Sequence, residues 1–128
     1  MDLRMDLRPE DREDAWLLLA ELFFLDTEHS DQVFQTAAES LKRMGLGRED
    51  AENILTYEGA PVAGFNLGYL LWPVIGAWDG FDREPLCSKI RGYLKRRARR
   101  PRWHYFLQDR WLRRMVKMLE SEKLLNRL

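Results

Sequence analysis

The chain has 128 residues, is 45% hydrophobic and 12% aromatic, and balances 21 Lys/Arg against 21 Asp/Glu. That length predicts one domain, residues 1–128, large enough for a real core, with residues 1–8 as a flexible N-terminus; the composition excludes a disordered segment. The neutral total is the sum of two opposed halves, because residues 1–82 carry 6 cations against 17 carboxylates and residues 83–128 carry 15 against 4.

A single cysteine, Cys87, excludes an internal disulfide and points to a reducing compartment. The longest strongly apolar stretch, residues 15–25, is interrupted by Glu21 and is about half the ~20 residues that a bilayer span needs. The N-terminus has no apolar h-region. The expectation is therefore a cytoplasmic protein without membrane contact.

Pro9 sits where an N1 proline belongs, and Glu10, Asp11, Glu13 and Asp14 suit the positive end of a helix dipole. A helix to about Phe24 is predicted. Its residues Trp16, Leu17, Leu18, Leu19, Leu22, Phe23 and Phe24 point almost all round the axis, which places it centrally. Glu21, inside this run, predicts an ion pair or a rim position rather than a buried acid.

The polar break at 26–30 supplies caps for a second helix, with Val33, Ala37, Leu41 and Met44 on one stripe and Gly45 as its stop. A third, short helix is expected over 48–58, ended by Gly59-Ala60-Pro61 because a pre-proline residue avoids the helical region. Residues 61–78 are very apolar but punctuated by Gly64, Gly68, Pro73 and Gly76. They read as a helix over 61–71 with a kink or break at Pro73, with a buried hairpin as the alternative.

Asp82 is placed to cap a fifth helix through about Ala98, with Leu86, Ile90, Tyr93 and Leu94 facing inward. Pro101 restarts a sixth helix predicted to reach Leu125. On it Leu107, Trp111, Met115 and Met118 make one face, and Arg110, Arg113, Arg114 and Lys117 make a separate one. The expected fold is all-α, a single-domain bundle of five or six helices around the apolar first helix.

Motifs for catalysis are absent. His29 and His104 have no metal-type spacing to each other or to Cys87, and there is no phosphate loop or nucleophile elbow. No catalytic residue, cofactor or metal is expected. The densest charge feature is Lys95–Arg100 followed by Arg102. With Arg96, Arg97, Arg99, Arg100, Arg110, Arg113, Arg114 and Lys117 on one surface, and Trp103, His104 and Tyr105 between the clusters, the last two helices suit phosphates and stacked bases. The near-neutral pI argues against that reading, and the acidic half is free to cover the patch.

Three stretches carry a resemblance: Leu22-Phe23-Phe24-Leu25-Asp26-Thr27-Glu28; residues 54–61 with Asn66-Leu67; and Ala77-Trp78-Asp79-Gly80-Phe81-Asp82. Together they resemble an uncharacterised family of small bacterial proteins with the pattern LFLDTE, E-x-x-P…NL and W-x-GF. The resemblance covers about residues 12–95 and leaves the basic tail outside. In general character the chain is similar to immunity proteins that neutralise bacterial toxins. The expectation is a non-enzymatic, protein-binding module of that kind. Its acidic surface would comprise Asp26, Glu28, Asp31, Glu58, Asp79 and Asp82, which lie in or beside helix ends and suit a basic active site. The arginine face would serve a toxin with an acidic surface. The alternatives are a nucleic-acid-binding protein using the basic helices and a homo-oligomer docking acidic half on basic half.

Overall fold

The computed structural model describes residues 7–24, 29–66 and 83–128. These residues form an all-α bundle. Helix α1 spans Pro9–Phe23, with Pro9 in its first turn and Glu10 and Asp11 beside it. The helix closes on a hydrogen bond from the Phe24 N–H to the Ala20 carbonyl, 2.8 Å. Ala15, Trp16, Leu19, Ala20, Leu22 and Phe23 are buried, while Leu17 and Leu18 are partly so. Glu21 is half-buried at the rim, as the apolar run around it required.

Helix α2 spans Asp31–Arg43, and the Ser30 hydroxyl caps it by accepting the Val33 N–H at 3.4 Å. Phe34, Ala37, Ala38 and Leu41 face the core. Of the expected stripe, Val33 is instead exposed and Met44 half-buried. Gly45 takes φ +85°, the left-handed conformation that ends a helix and favours glycine.

Helix α3 begins at Arg48, and Asp50 accepts the Gly47 N–H at 3.1 Å. The expected stop at Gly59-Ala60-Pro61 does not occur. After Ile54 the chain widens into a π turn, Leu55–Gly59, and continues directly into α4, Ala60–Asn66. Ala60 sits at φ −60°, ψ −39°, fully helical although it precedes proline, and its N–H reaches back to the Leu55 carbonyl. The extra residue in the π turn shifts the hydrogen-bond register one residue ahead of Pro61, whose ring brings no N–H to satisfy. The predicted kink at Pro73, its hairpin alternative and the Asp82 cap lie outside the described residues.

Helix α5, Arg83–Ala98, buries Leu86, Cys87, Ile90 and Tyr93. The expected single last helix is three pieces: a 3-10 turn at Arg102–Tyr105, α6 at Phe106–Met118, and α7 at Glu122–Leu125. The interruption falls at Glu120, the one non-glycine residue with positive φ (59°) among those described. It turns the chain so that Leu124 and Leu125 pack inward, where α7 meets α2 and α3. The π turn touches α1, α5 and α6. The centre of the bundle is therefore shared between α1 and this turn. Leu19, Leu41, Leu46, Leu55, Ile90 and Leu112 are among its fully buried side chains.

Candidate basic and aromatic interface

The acidic and basic halves meet along a few edges. Arg83 bonds Asp14 at 2.6 Å and Glu13 at 3.5 Å, and Arg91 pairs with Glu13, so α5 is tied to α1. Arg127 reaches Asp31 at 3.5 Å and Gln35 at 3.1 Å, and Arg48 forks onto Glu122 at 2.7 Å. These contacts use cations at the start and middle of α5, at the chain end and at the start of α3. Among the described residues, the cations of residues 95–117 form no ion pair with the acidic half.

At the α5–α6 corner, Pro101 removes a donor and pushes the chain out of the helical path. It stands at φ −66°, ψ 154°, and α5 has frayed into turn bonds from the Arg99 and Arg100 N–H groups to the Arg96 and Arg97 carbonyls. The corner is locked from inside by Arg97. Its guanidinium forks onto the Asp109 carboxylate, donates to the Tyr93 hydroxyl at 2.9 Å, and lies 4.7 Å from the Tyr105 ring centroid and 5.9 Å from that of Tyr57. The Asp109 hydrogen bonds, more than any other influence, hold the Arg97 pKa above its ordinary value. Burial raises the Tyr93 phenol, although the Arg97 and Gln108 hydrogen bonds oppose it.

From this lock a file of rings leads outward. Tyr93 meets Tyr105 edge-on at 6.1 Å, Tyr105 meets His104 at 4.9 Å, and His104 meets Trp103 at 6.1 Å. Trp103 ends the file 75% exposed. Around it opens a cleft of about 530 Å³ lined by Arg96, Arg99, Arg100, Pro101, Trp103 and His104.

Along α6 the exposed sector has two stripes. At 3.6 residues per turn, Arg113, Phe106, Lys117, Arg110 and Arg114 fall within about 100°, and Leu107, Met118 and Trp111 within the next ~40°. Phe106 (59%), Leu107 (74%) and Met118 (82%) are large apolar side chains left in solvent, and Trp111 is 45% exposed. The face expected to be Leu107, Trp111, Met115 and Met118 is thus largely the outer one. The residues that α6 buries are Leu112 and Val116, one helical turn apart, with Met115 only packed against the core edge.

Of the expected basic surface, Arg96, Arg99 and Arg100 line one cleft, and Arg110, Arg113, Arg114 and Lys117 share one sector of α6. Arg97 is turned inward, spent on Asp109. Arg113 lies outside but donates to the Tyr57 hydroxyl at 3.1 Å. Arg96, Arg99, Arg100, Arg110, Arg114 and Lys117 are exposed and form no ion pair with any described residue. Trp103 and the α6 apolar stripe join them, and their spacing alone did not separate them from core residues.

Of the expected acidic surface, Asp31 and Glu58 lie among the described residues. Asp26, Glu28, Asp79 and Asp82 lie outside the described residues. Asp31 is exposed and paired with Arg127. Glu58 turns inward from the π turn, accepting from Trp16 Nε1 at 2.7 Å and from Arg12 at 3.3 Å. Its carboxylate, 18% exposed, joins the turn to α1.

No group of three or more His, Cys, Asp or Glu suited to a metal ion occurs among the described residues, and none of their helices is long and apolar enough to cross a membrane. A model of the domain of unknown function DUF7079 matches residues 10–126. The chain belongs to that family. The DUF7079 match runs well past residue 95, so the basic α6 and the corner cleft lie within the family domain, not beyond it as the three motifs implied. No curated protein and no solved structure matches the chain.

Proposed function

We propose that this DUF7079 protein is a non-enzymatic binding module that docks an acidic protein surface on the outer face of α6, and that its partner is a toxin it neutralises. The carrying observation is the double stripe on α6, with Leu107 and Met118 almost fully exposed beside Arg110, Arg114 and Lys117. Exposed apolar side chains bordered by arginines match the anchors of protein interfaces. An acidic partner suits the cationic stripe and would be steered to it. A second copy related by a two-fold axis would set the same cations against themselves, which disfavours a homodimer through this face.

The test is binding of the purified product of the adjacent gene, together with protection of cells that express it. Arg110→Glu with Arg114→Glu is expected to slow association more than tenfold at low salt, and Leu107→Ala with Met118→Ala to speed dissociation. The absence of both a complex and protection would overturn the proposal. A nucleic acid is the second occupant that the density of guanidinium groups favours. It would show affinity falling steeply with salt and indifferent to Leu107→Ala and Met118→Ala, because a phosphate backbone offers no apolar counterpart.

A further inference from the structure

The corner cleft has a chemistry different from that of the α6 stripe. It is lined by three arginines, Arg96, Arg99 and Arg100, and by one indole standing 75% exposed. The lining supplies no carboxylate, and none of the three arginines is paired with a described residue. Neighbouring cations repel one another, and an anion that bridges them relieves that repulsion. A ligand that also covers Trp103 would use the apolar surface beside them.

We infer that this cleft binds a nucleoside phosphate, its base stacked on Trp103 and its phosphates held by Arg96, Arg99 and Arg100. Two separate demands of the site meet in that one class of ligand. Phosphate oxygens accept the forked donors of guanidinium groups. A planar base stacks on an indole whatever its hydrogen-bonding edge. The size also fits, because about 530 Å³ lies within the ~300–1,000 Å³ of small-ligand sites. Inorganic phosphate would satisfy the arginines and leave Trp103 bare; an uncharged nucleoside would do the reverse.

The cleft is positioned from within the fold. Arg97, bound to Asp109 and seated on Tyr105, holds the end of α5 against the start of α6. The ring file behind Trp103 supports it through His104 and Tyr105. Both walls are therefore set before any ligand arrives, which lowers the ordering cost of binding. The α6 docking reading is not needed here, since substitutions at Leu107, Arg110, Arg114 and Met118 leave every lining residue in place.

The experiment is a calorimetric titration of the full chain with ATP, sodium tripolyphosphate, adenosine and a short oligothymidylate, each at 50 and 300 mM salt. Saturable binding of ATP at least tenfold tighter than either tripolyphosphate or adenosine is expected. Trp103→Ala should weaken ATP about tenfold while leaving tripolyphosphate unchanged. Arg99→Ala with Arg100→Ala should weaken ATP and tripolyphosphate alike. Tighter binding of the oligonucleotide with the same two sensitivities identifies a strand as the source of the nucleotide and supports the site. Equal affinity for ATP and tripolyphosphate, or indifference to Trp103→Ala, reduces the cleft to a polyanion surface and overturns the inference. The substituted side chains are exposed, so far-ultraviolet circular dichroism should match the parent. If it does not, Arg99→Lys, which keeps the charge but loses the fork, must still weaken ATP for the inference to stand.

Discussion

Replacing Asp109 by alanine tests whether the α5–α6 corner is held as described. Asp109 is 16% exposed and Arg97 27%, so the pair lies between a surface ion pair, worth at most about 1 kcal/mol, and a buried one, whose breakage costs about 3–5 kcal/mol. The forked geometry adds two charge-assisted hydrogen bonds. The released guanidinium keeps the Tyr93 hydroxyl and the Tyr105 face, which offsets part of the loss. About 2 kcal/mol is expected for Asp109→Ala and about the same for Arg97→Met. The double variant should be less unstable than the sum of the two by at least ~1 kcal/mol, because it leaves neither charge stranded. Urea unfolding at pH 7, at 0.15 and 1 M salt, measures all three, and high salt should change the coupling little for a pair so enclosed. Additive losses, or single variants within ~0.5 kcal/mol of the parent, would refute the lock and remove the reason for treating the cleft as preformed.

Other outcomes follow from neighbouring features. Leu112→Ala should cost about 3 kcal/mol and Leu107→Ala almost nothing by urea unfolding, although both leucines lie on α6, because one is fully buried and the other 74% exposed. Glu120→Gly should stabilise by about 0.5–1 kcal/mol: relief of a left-handed side chain, about 1–2 kcal/mol, outweighs the lost chain entropy of glycine. Cys87 is fully buried and burial raises its thiol, as it raises the Tyr93 phenol. Both groups are neutral when protonated, so their contribution is intact below the unfolded-state values and lost as pH rises through the folded ones. The unfolding free energy should therefore fall above about pH 9, and the thiol should react with an alkylating reagent only after unfolding.

The local signals of the sequence carry the helix starts and stops well, because each depends on one residue's own chemistry. Pro9, the Ser30 hydroxyl and the left-handed Gly45 act where their side chains or backbone freedom predict. The expectation at Pro61 fails for a reason the same rules contain. A proline ends an α-helix only if the preceding hydrogen-bond register is α, and the π turn at 55–59 changes that register first. Nothing in Leu-Thr-Tyr-Glu-Gly announces a π turn. It is favoured by what the turn reaches, with Glu58 on Trp16 and Arg12 and Tyr57 beside Arg97 and Arg113, all distant in sequence. The break at Glu120 is hidden likewise, since a glutamate with positive φ is set by the burial of Leu124 and Leu125 beyond it.

Helix α6 marks the harder limit, and the candidate site depends on it. The helix has two apolar stripes, one of Leu107, Trp111 and Met118 and one of Leu112 and Val116, and periodicity gives both the same standing. The choice is made at its two ends. Asp109 must face Arg97 at one end, and at the other the chain must bend at Glu120 to bring Leu124 and Leu125 onto α2 and α3. Together they turn Leu112 and Val116 inward and leave the larger, more aromatic stripe in water beside the unneutralised cations. A helix that exposes Leu107 and Met118 while burying a valine forgoes apolar burial it had available. The exposed side chains of Leu107 and Met118, next to arginines that the acidic half does not reach among the described residues, are the physical argument for a partner. Of the acidic half, Glu13 and Asp14 are spent on α5 and Glu58 on α1. Among the described residues, the opposed charges of the two halves therefore meet along the α1–α5 edge, and the α6 cations form no ion pair with the acidic half.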